Sequence, residues 1–135
     1  MTHRLQASML VSVAAALLLS ACSTMHEGTT SAFPAGKYSN GDTVVIFNAD
    51  GTYVGTTTQG EDWVRGTYTH HGNEVTLSDS WESEGLVAEM GKSCMGNDGR
   101  YTWALSGDVF TATVIEDPCE GRVAGTSGVA WTRMR

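Results

Sequence analysis

Three groups of side chains in this sequence could do chemistry: a histidine pair, a run of carboxylates and three cysteines. His70 and His71 are adjacent, and neighbours in an extended strand point to opposite faces. They cannot readily grip one metal ion, so the pair reads as a turn feature. Asp79, Glu82, Glu84 and Glu89 could collect calcium, but the run lacks the fixed spacing and turn glycine of a calcium loop. The expectation is a solvated acidic loop between strands. Asp117 and Arg122 bracket Cys119 closely enough to pair and order the loop around it. No serine sits in a Gly-x-Ser-x-Gly elbow, and no glycine-rich phosphate loop precedes a helix. The chain is expected not to be an enzyme, with no catalytic residue, metal or cofactor.

The first cysteine, Cys22, ends a different pattern. His3 and Arg4 precede the apolar run from Met9 to Leu19, and Ser20 and Ala21 lead into the cysteine, which is the three-part layout of a secretory signal. The run is about half the roughly 20 residues a membrane-spanning helix needs, so it is a signal and not an anchor helix. Leu19-Ser20-Ala21-Cys22 resembles the lipobox of bacterial lipoproteins at every position. That resemblance implies cleavage before Cys22, diacylation of its thiol and often acylation of the new amino group. Each buried methylene then contributes roughly 0.8 kcal/mol of membrane affinity. In such lipoproteins an aspartate after the cysteine favours the inner membrane; here Ser23 stands there, which implies the outer membrane, facing the periplasm. Ser23, Thr24 and the stretch from His26 to Ser31 are small and polar, with too little apolar surface to offset the entropy of ordering them. The expected organisation is a signal at 1–21, a lipidated cysteine and flexible tether at 22–33, and one domain at 34–135.

The elements of that domain are read from its turns. Thr43 to Phe47 and Thr52 to Thr57 flank Asn48-Ala49-Asp50-Gly51; Trp63 to His70 and Glu74 to Ser78 flank His71-Gly72-Asn73; Arg100 to Leu105 and Asp108 to Ile115 flank Ser106-Gly107. A strand at Gly36 to Ser39, a less regular one near Leu86 to Met90 and a closing one at Val129 to Met134 complete the set. Tyr101, Trp103 and Leu105 share one face, and Phe110, Ala112 and Val114 share one face of the return strand. An open sheet would expose that apolar face and two unpaired edges, so the chain is expected to be all-β, an up-and-down antiparallel β-barrel of about eight strands. A two-sheet β-sandwich is the alternative. Removing residues 1–21 takes Arg4 and leaves 7 Lys and Arg against 15 Asp and Glu. A surface so acidic repels phosphate backbones, which makes nucleic acid an unsuitable partner.

If Ser106-Gly107 is a two-residue turn, Leu105 faces Asp108 and paired positions sum to 213, as do 94 and 119. Cys94 and Cys119 then lie opposite one another at the open end of a long hairpin, within reach of a disulfide that an oxidising compartment preserves. With Cys22 committed to lipid, no thiol is left over.

Gly36-Lys37-Tyr38 and Trp131-Thr132-Arg133 resemble the first-strand Gly-x-Trp and closing-strand Arg of lipocalin-like, or calycin, barrels, with Tyr in place of Trp. The blocks Asn48 to Tyr53, Gly99 to Trp103 and Asp117 to Arg122 are similar to small bacterial lipocalin-like proteins, most without an assigned function. The resemblance implies that Arg133 covers Tyr38 and shuts one end of the barrel beside Trp131. It also implies an interior able to hold a small hydrophobic ligand. Tyr53, Tyr68, Tyr101, Trp103, Phe110 and Trp131 are all candidates to point inward, and so many rings favour a filled core. In an open barrel Tyr53, Tyr68 and Trp103 are expected to face the ligand, with Trp63 and Trp81 near a rim. Two functions follow. One is a membrane-anchored carrier or sensor of a small hydrophobic molecule. The other is an envelope lipoprotein that binds protein, such as a hydrolase inhibitor, through Trp81 and residues 91–97 on a filled barrel.

Overall fold

Residues 32–135 are described by a computed structural model; the expected signal, Cys22 and most of the tether lie outside the described residues. Strands β1 (Gly36–Ser39), β2 (Thr43–Phe47), β3 (Thr52–Thr57), β4 (Asp62–His71) and β5 (Glu74–Glu82) lead into a short helix α1 (Glu84–Met90). Strands β6 (Gly99–Ser106) and β7 (Val109–Glu116), helix α2 (Glu120–Thr126) and β8 (Ala130–Arg133) follow. Each strand pairs antiparallel with the next, and β8 returns to β1 through Tyr38↔Arg133 and Ser39↔Thr132. The barrel is therefore closed and up-and-down, with no open edge, and it is not a sandwich.

The turns behave as their residues dictate. Gly51 takes φ 87°, a value L side chains rarely adopt, while the Asp50 carboxylate accepts the Thr52 amide at 2.9 Å and closes the β2–β3 hairpin. The β6–β7 hairpin departs from the expected register. Leu105 pairs with Phe110 and Ser106 with Val109, so the turn is Gly107-Asp108, and a bulge at Arg100/Tyr101 shifts the pairing again. The Cys94–Cys119 disulfide is present, with Cα atoms 5.5 Å apart, but both cysteines lie beyond the strand ends. Loop geometry, not strand register, brings them together.

Two further expectations are corrected. The segment near Leu86 to Met90 is helical: Ser83 caps it by accepting the Leu86 amide at 3.1 Å, and Gly91 ends it in the left-handed region at φ 80°. The acidic residues do not form one solvated loop. β5 runs on to Glu82, which carries Asp79 and Glu82 into buried positions and leaves only Glu84 and Glu89 exposed on α1. The second helix, α2, packs closely on the first, since a Cβ at Gly121 would overlap the Met90 side chain.

Antiparallel order puts the connections alternately at two ends. At one end lie the tight turns 48–51, 72–73 and 107–108 and the incoming segment that carries Phe33. At the other lie the loops 40–42 and 58–61, both helices and the disulfide. The tight-turn end is packed solid. The Phe33 ring is surrounded by those of Phe47, Tyr68, His70, Trp103 and Phe110, with centroids 4.7–5.9 Å away. Arg133 lies over the Tyr38 ring at 5.3 Å and donates from Nη2 to its hydroxyl at 2.7 Å. The Tyr38 hydroxyl donates in turn to the Pro34 carbonyl at 2.6 Å, pinning the incoming segment.

Candidate functional site

The helical end is not packed. A cavity of about 550 Å3 enters the barrel between the loop at Asn40 and Asp42 and the two helices, and reaches down to Phe47, Phe110 and Trp131. Small-molecule sites typically enclose about 300–1,000 Å3. Strand alternation makes the wall: Val45 and Phe47 of β2, Tyr53 and Gly55 of β3, and Leu77 and Asp79 of β5 are each two residues apart and face inward together. Gly55 leaves room for Val64, because a Cβ there would meet the Val64 side chain.

One side of this apolar wall is a buried polar cluster. Asp79 accepts a hydrogen bond from the Tyr53 hydroxyl, and its other oxygen lies 3.3 Å from Nη1 of Arg122. Arg122 donates from Nε and Nη2 to the two oxygens of Asp117, at 2.7 and 2.9 Å, and from Nη2 to the Asn97 carbonyl at 2.5 Å. Nη1 itself is buried and makes no hydrogen bond. Asp117 also accepts from the Tyr101 hydroxyl and from the Cys119 amide, the latter at 2.8 Å. Glu82 accepts the Cys94 amide at 2.8 Å and the Ser93 hydroxyl at 2.6 Å, so the disulfide loop is sewn to β5. The loop ion pair between Asp117 and Arg122 is thus part of a larger network than the spacing indicated.

Burial and nearby charge set the proton affinities. Burial pushes the Asp79 carboxyl above the usual carboxylate range, Glu82 pushes the same way, and the Tyr53 hydrogen bond and the Arg122 charge only partly oppose this. Burial works against the charge of Asp117 too, but hydrogen bonds from Arg122, Tyr101 and the Cys119 amide outweigh it and hold that carboxyl low. The Tyr53 hydroxyl is pushed up by burial and then by Asp79, so it stays protonated and donates. Asp79, Glu82 and the Cys94 sulfur come within 4.8 Å of one another. That sulfur is bonded to Cys119 and has no thiolate to offer, and Arg122 stands beside the carboxylates, so the trio does not suit a metal ion.

The residues expected to face a ligand divide. Tyr53 lines the cavity, as do Trp63 at its side and Trp131 at its floor. Tyr68 and Trp103 do not: they belong to the aromatic plug at the opposite end, where Tyr68 donates to the Asn48 carbonyl at 2.5 Å. Trp81 lies on the outer surface, 39% exposed, under the Arg65 guanidinium at 4.8 Å. The expected filled interior is therefore half right, because the rings around Phe33 fill one end while a cavity walled in part by Tyr53, Trp63 and Trp131 remains at the other. Asp79 and Arg122 were missed as interior residues. The signal for Asp79 was its spacing from Val75 and Leu77, two residues apart on one face; for Arg122 the sequence showed only the local pairing with Asp117 and nothing of its contact with Asp79, 43 positions away.

Comparison with protein-family models, with curated proteins and with solved structures found no match for this chain. The closed eight-stranded antiparallel barrel is compatible with the lipocalin-like fold that the sequence resembles.

Proposed function

We propose that this protein binds a small, largely apolar molecule in the helical end of its barrel while tethered by lipid on Cys22 to the outer membrane, facing the periplasm. The observation that supports the reading is the unfilled half of the interior: Val45, Phe47, Leu77, Phe110 and Trp131 surround about 550 Å3 of open space although the other half is tightly packed. Leaving apolar wall unfilled costs contacts that a packed core would make, and an apolar occupant restores them. The role is binding, not catalysis, because the cluster's carboxylates and guanidinium are engaged with one another instead of poised on a nucleophile. A barrel acting on other proteins only through Trp81 and residues 91–97 is less well supported, since that reading called for a filled interior.

All eight strands, the core and the disulfide lie within 33–135, so the chain from Ser23 onward, exported behind a cleavable signal, carries the whole fold. Its native mass spectrum tests the proposal. A bound species lost on denaturation, and absent when Val45→Trp fills the cavity, is the expected result. Failure to retain any apolar probe, with wild type and Val45→Trp behaving alike, overturns it. Tethering is tested separately: Cys22→Ala is expected to move the protein from the membrane to the soluble fraction.

A further inference from the structure

The cavity wall is chemically lopsided. Among the described residues its carboxyl groups are Asp79 in the depth and Asp42 and Glu89 at the mouth, and its one basic side chain is Arg122. That guanidinium is poorly placed to receive an anion. Nε and Nη2 are held by Asp117 and the Asn97 carbonyl, and Nη1, 94% buried with its side chain, faces the Asp79 carboxylate. Nη1 makes no hydrogen bond, but an anionic acceptor approaching it meets the Asp79 carboxylate beside it and is repelled.

The buried cluster also fails to balance. It holds three carboxyl groups, Asp79, Glu82 and Asp117, against the single guanidinium of Arg122, while the facing group on β3 is the neutral Tyr53 hydroxyl. Buried charges of one sign are costly unless compensated, so this cluster retains a proton or takes up a cation. The raised proton affinity of Asp79 is the first of these. The cavity beside Asp79 admits the second, and the rings of Trp63 and Trp131 on the same wall add faces that attract cations.

We infer that the occupant of the cavity carries a protonated amine, directed at Asp79, on an apolar body that lies along Phe47, Leu77, Phe110 and Trp131. This rests on the binding reading above and narrows it. An ammonium group takes over the compensating role of the proton on Asp79, so binding releases a proton wherever Asp79 is protonated in the empty barrel. A carboxylate-headed chain of the same length meets Asp42, Glu89 and Asp79 instead and is repelled.

The test uses decylammonium, decanol and decanoate as matched probes of the chain from Ser23 onward, read by tryptophan fluorescence and calorimetry. Decylammonium is expected to bind at least about tenfold more tightly than decanoate. Asp79→Asn is expected to weaken decylammonium by about tenfold more than it weakens decanol. Should Asp79→Asn not fold, the exposed pair Asp42→Asn with Glu89→Gln serves, with a loss of about threefold for the amine alone. Equal or tighter binding of decanoate or decanol overturns the amine inference and leaves the cavity reading standing. Amine binding that persists in Val45→Trp is attraction to the acidic surface and also overturns it. Binding of none of the three overturns both readings.

Discussion

Replacing Cys94 and Cys119 together with alanine opens a loop of 25 residues in the unfolded chain. On the chain-entropy account, closing a loop of that length removes about 12 cal/mol/K from the unfolded ensemble, or about 3.5 kcal/mol at 25 °C. Both sulfurs are buried, and the small voids they leave add about 1 kcal/mol more. The expected loss is therefore about 4.5 kcal/mol, a large share of the 5–15 kcal/mol typical of a domain. At 4–8 °C per kcal/mol for about 100 residues, the midpoint falls by roughly 18–36 °C. The substitution leaves the Cys94 amide free to keep donating to Glu82 and the Cys119 amide to Asp117, so the loss should report the bond and not the polar network. Urea unfolding followed by circular dichroism and tryptophan fluorescence, on the oxidised protein, the reduced protein and the double variant, measures it. A loss below about 1 kcal/mol would refute the reasoning, as would two reactive thiols in natively exported protein.

Phe33→Ala is expected to cost about 3 kcal/mol in the same assay, because it removes the ring on which five others pack; a cost under 1 kcal/mol would show that the plug closes without it. Gly66→Ala should cost about 2 kcal/mol or more, since its Cβ would fall on the Ser78 carbonyl and the Tyr53 ring, and tolerance would mean that β4 can shift there. The two shifted aspartates oppose each other with pH. Asp117, held low, contributes stability that is present above the ordinary aspartate value of 3.8 and lost as pH falls through its native value, so Asp117→Asn should flatten the acid limb of stability against pH. Asp79, pushed up, favours the fold most below 3.8 and costs stability as pH rises through its native value; Asp79→Asn should remove that decline, and a steeper decline would contradict the assignment.

The barrel was legible because its strands are punctuated by turn residues with a physical requirement, such as Gly51 and Asp50, and because Tyr101 and Trp103 alternate with polar neighbours. α1 was read as a strand because seven residues are too few to display a helical period; its legible marks were the caps, Ser83 and Gly91. Asp79 was read as solvated because carboxylates are rarely buried unless paired, and its partner Arg122 arrives from a helix after three intervening elements. The cysteine pairing came out correctly although the register used to find it was displaced, because the loops flanking β6 and β7 absorb the difference. The cavity was hidden for another reason. Alternation tells which side chains face inward but not whether they meet the plug or the cavity, so Tyr68 and Trp103 in the plug and Tyr53 on the cavity wall carry the same sequence signature.

The chain enters the barrel at its packed end, through Phe33 and Pro34. The eleven residue steps back to Cys22 can extend to about 35–40 Å at most. With lipid on that cysteine, the mooring attaches to the floor of the vessel and its mouth is free to point away from the bilayer. On the proposed binding function, that leaves the mouth open to exchange with the aqueous compartment, or with another macromolecule approaching from it, without contact with the leaflet that holds the anchor.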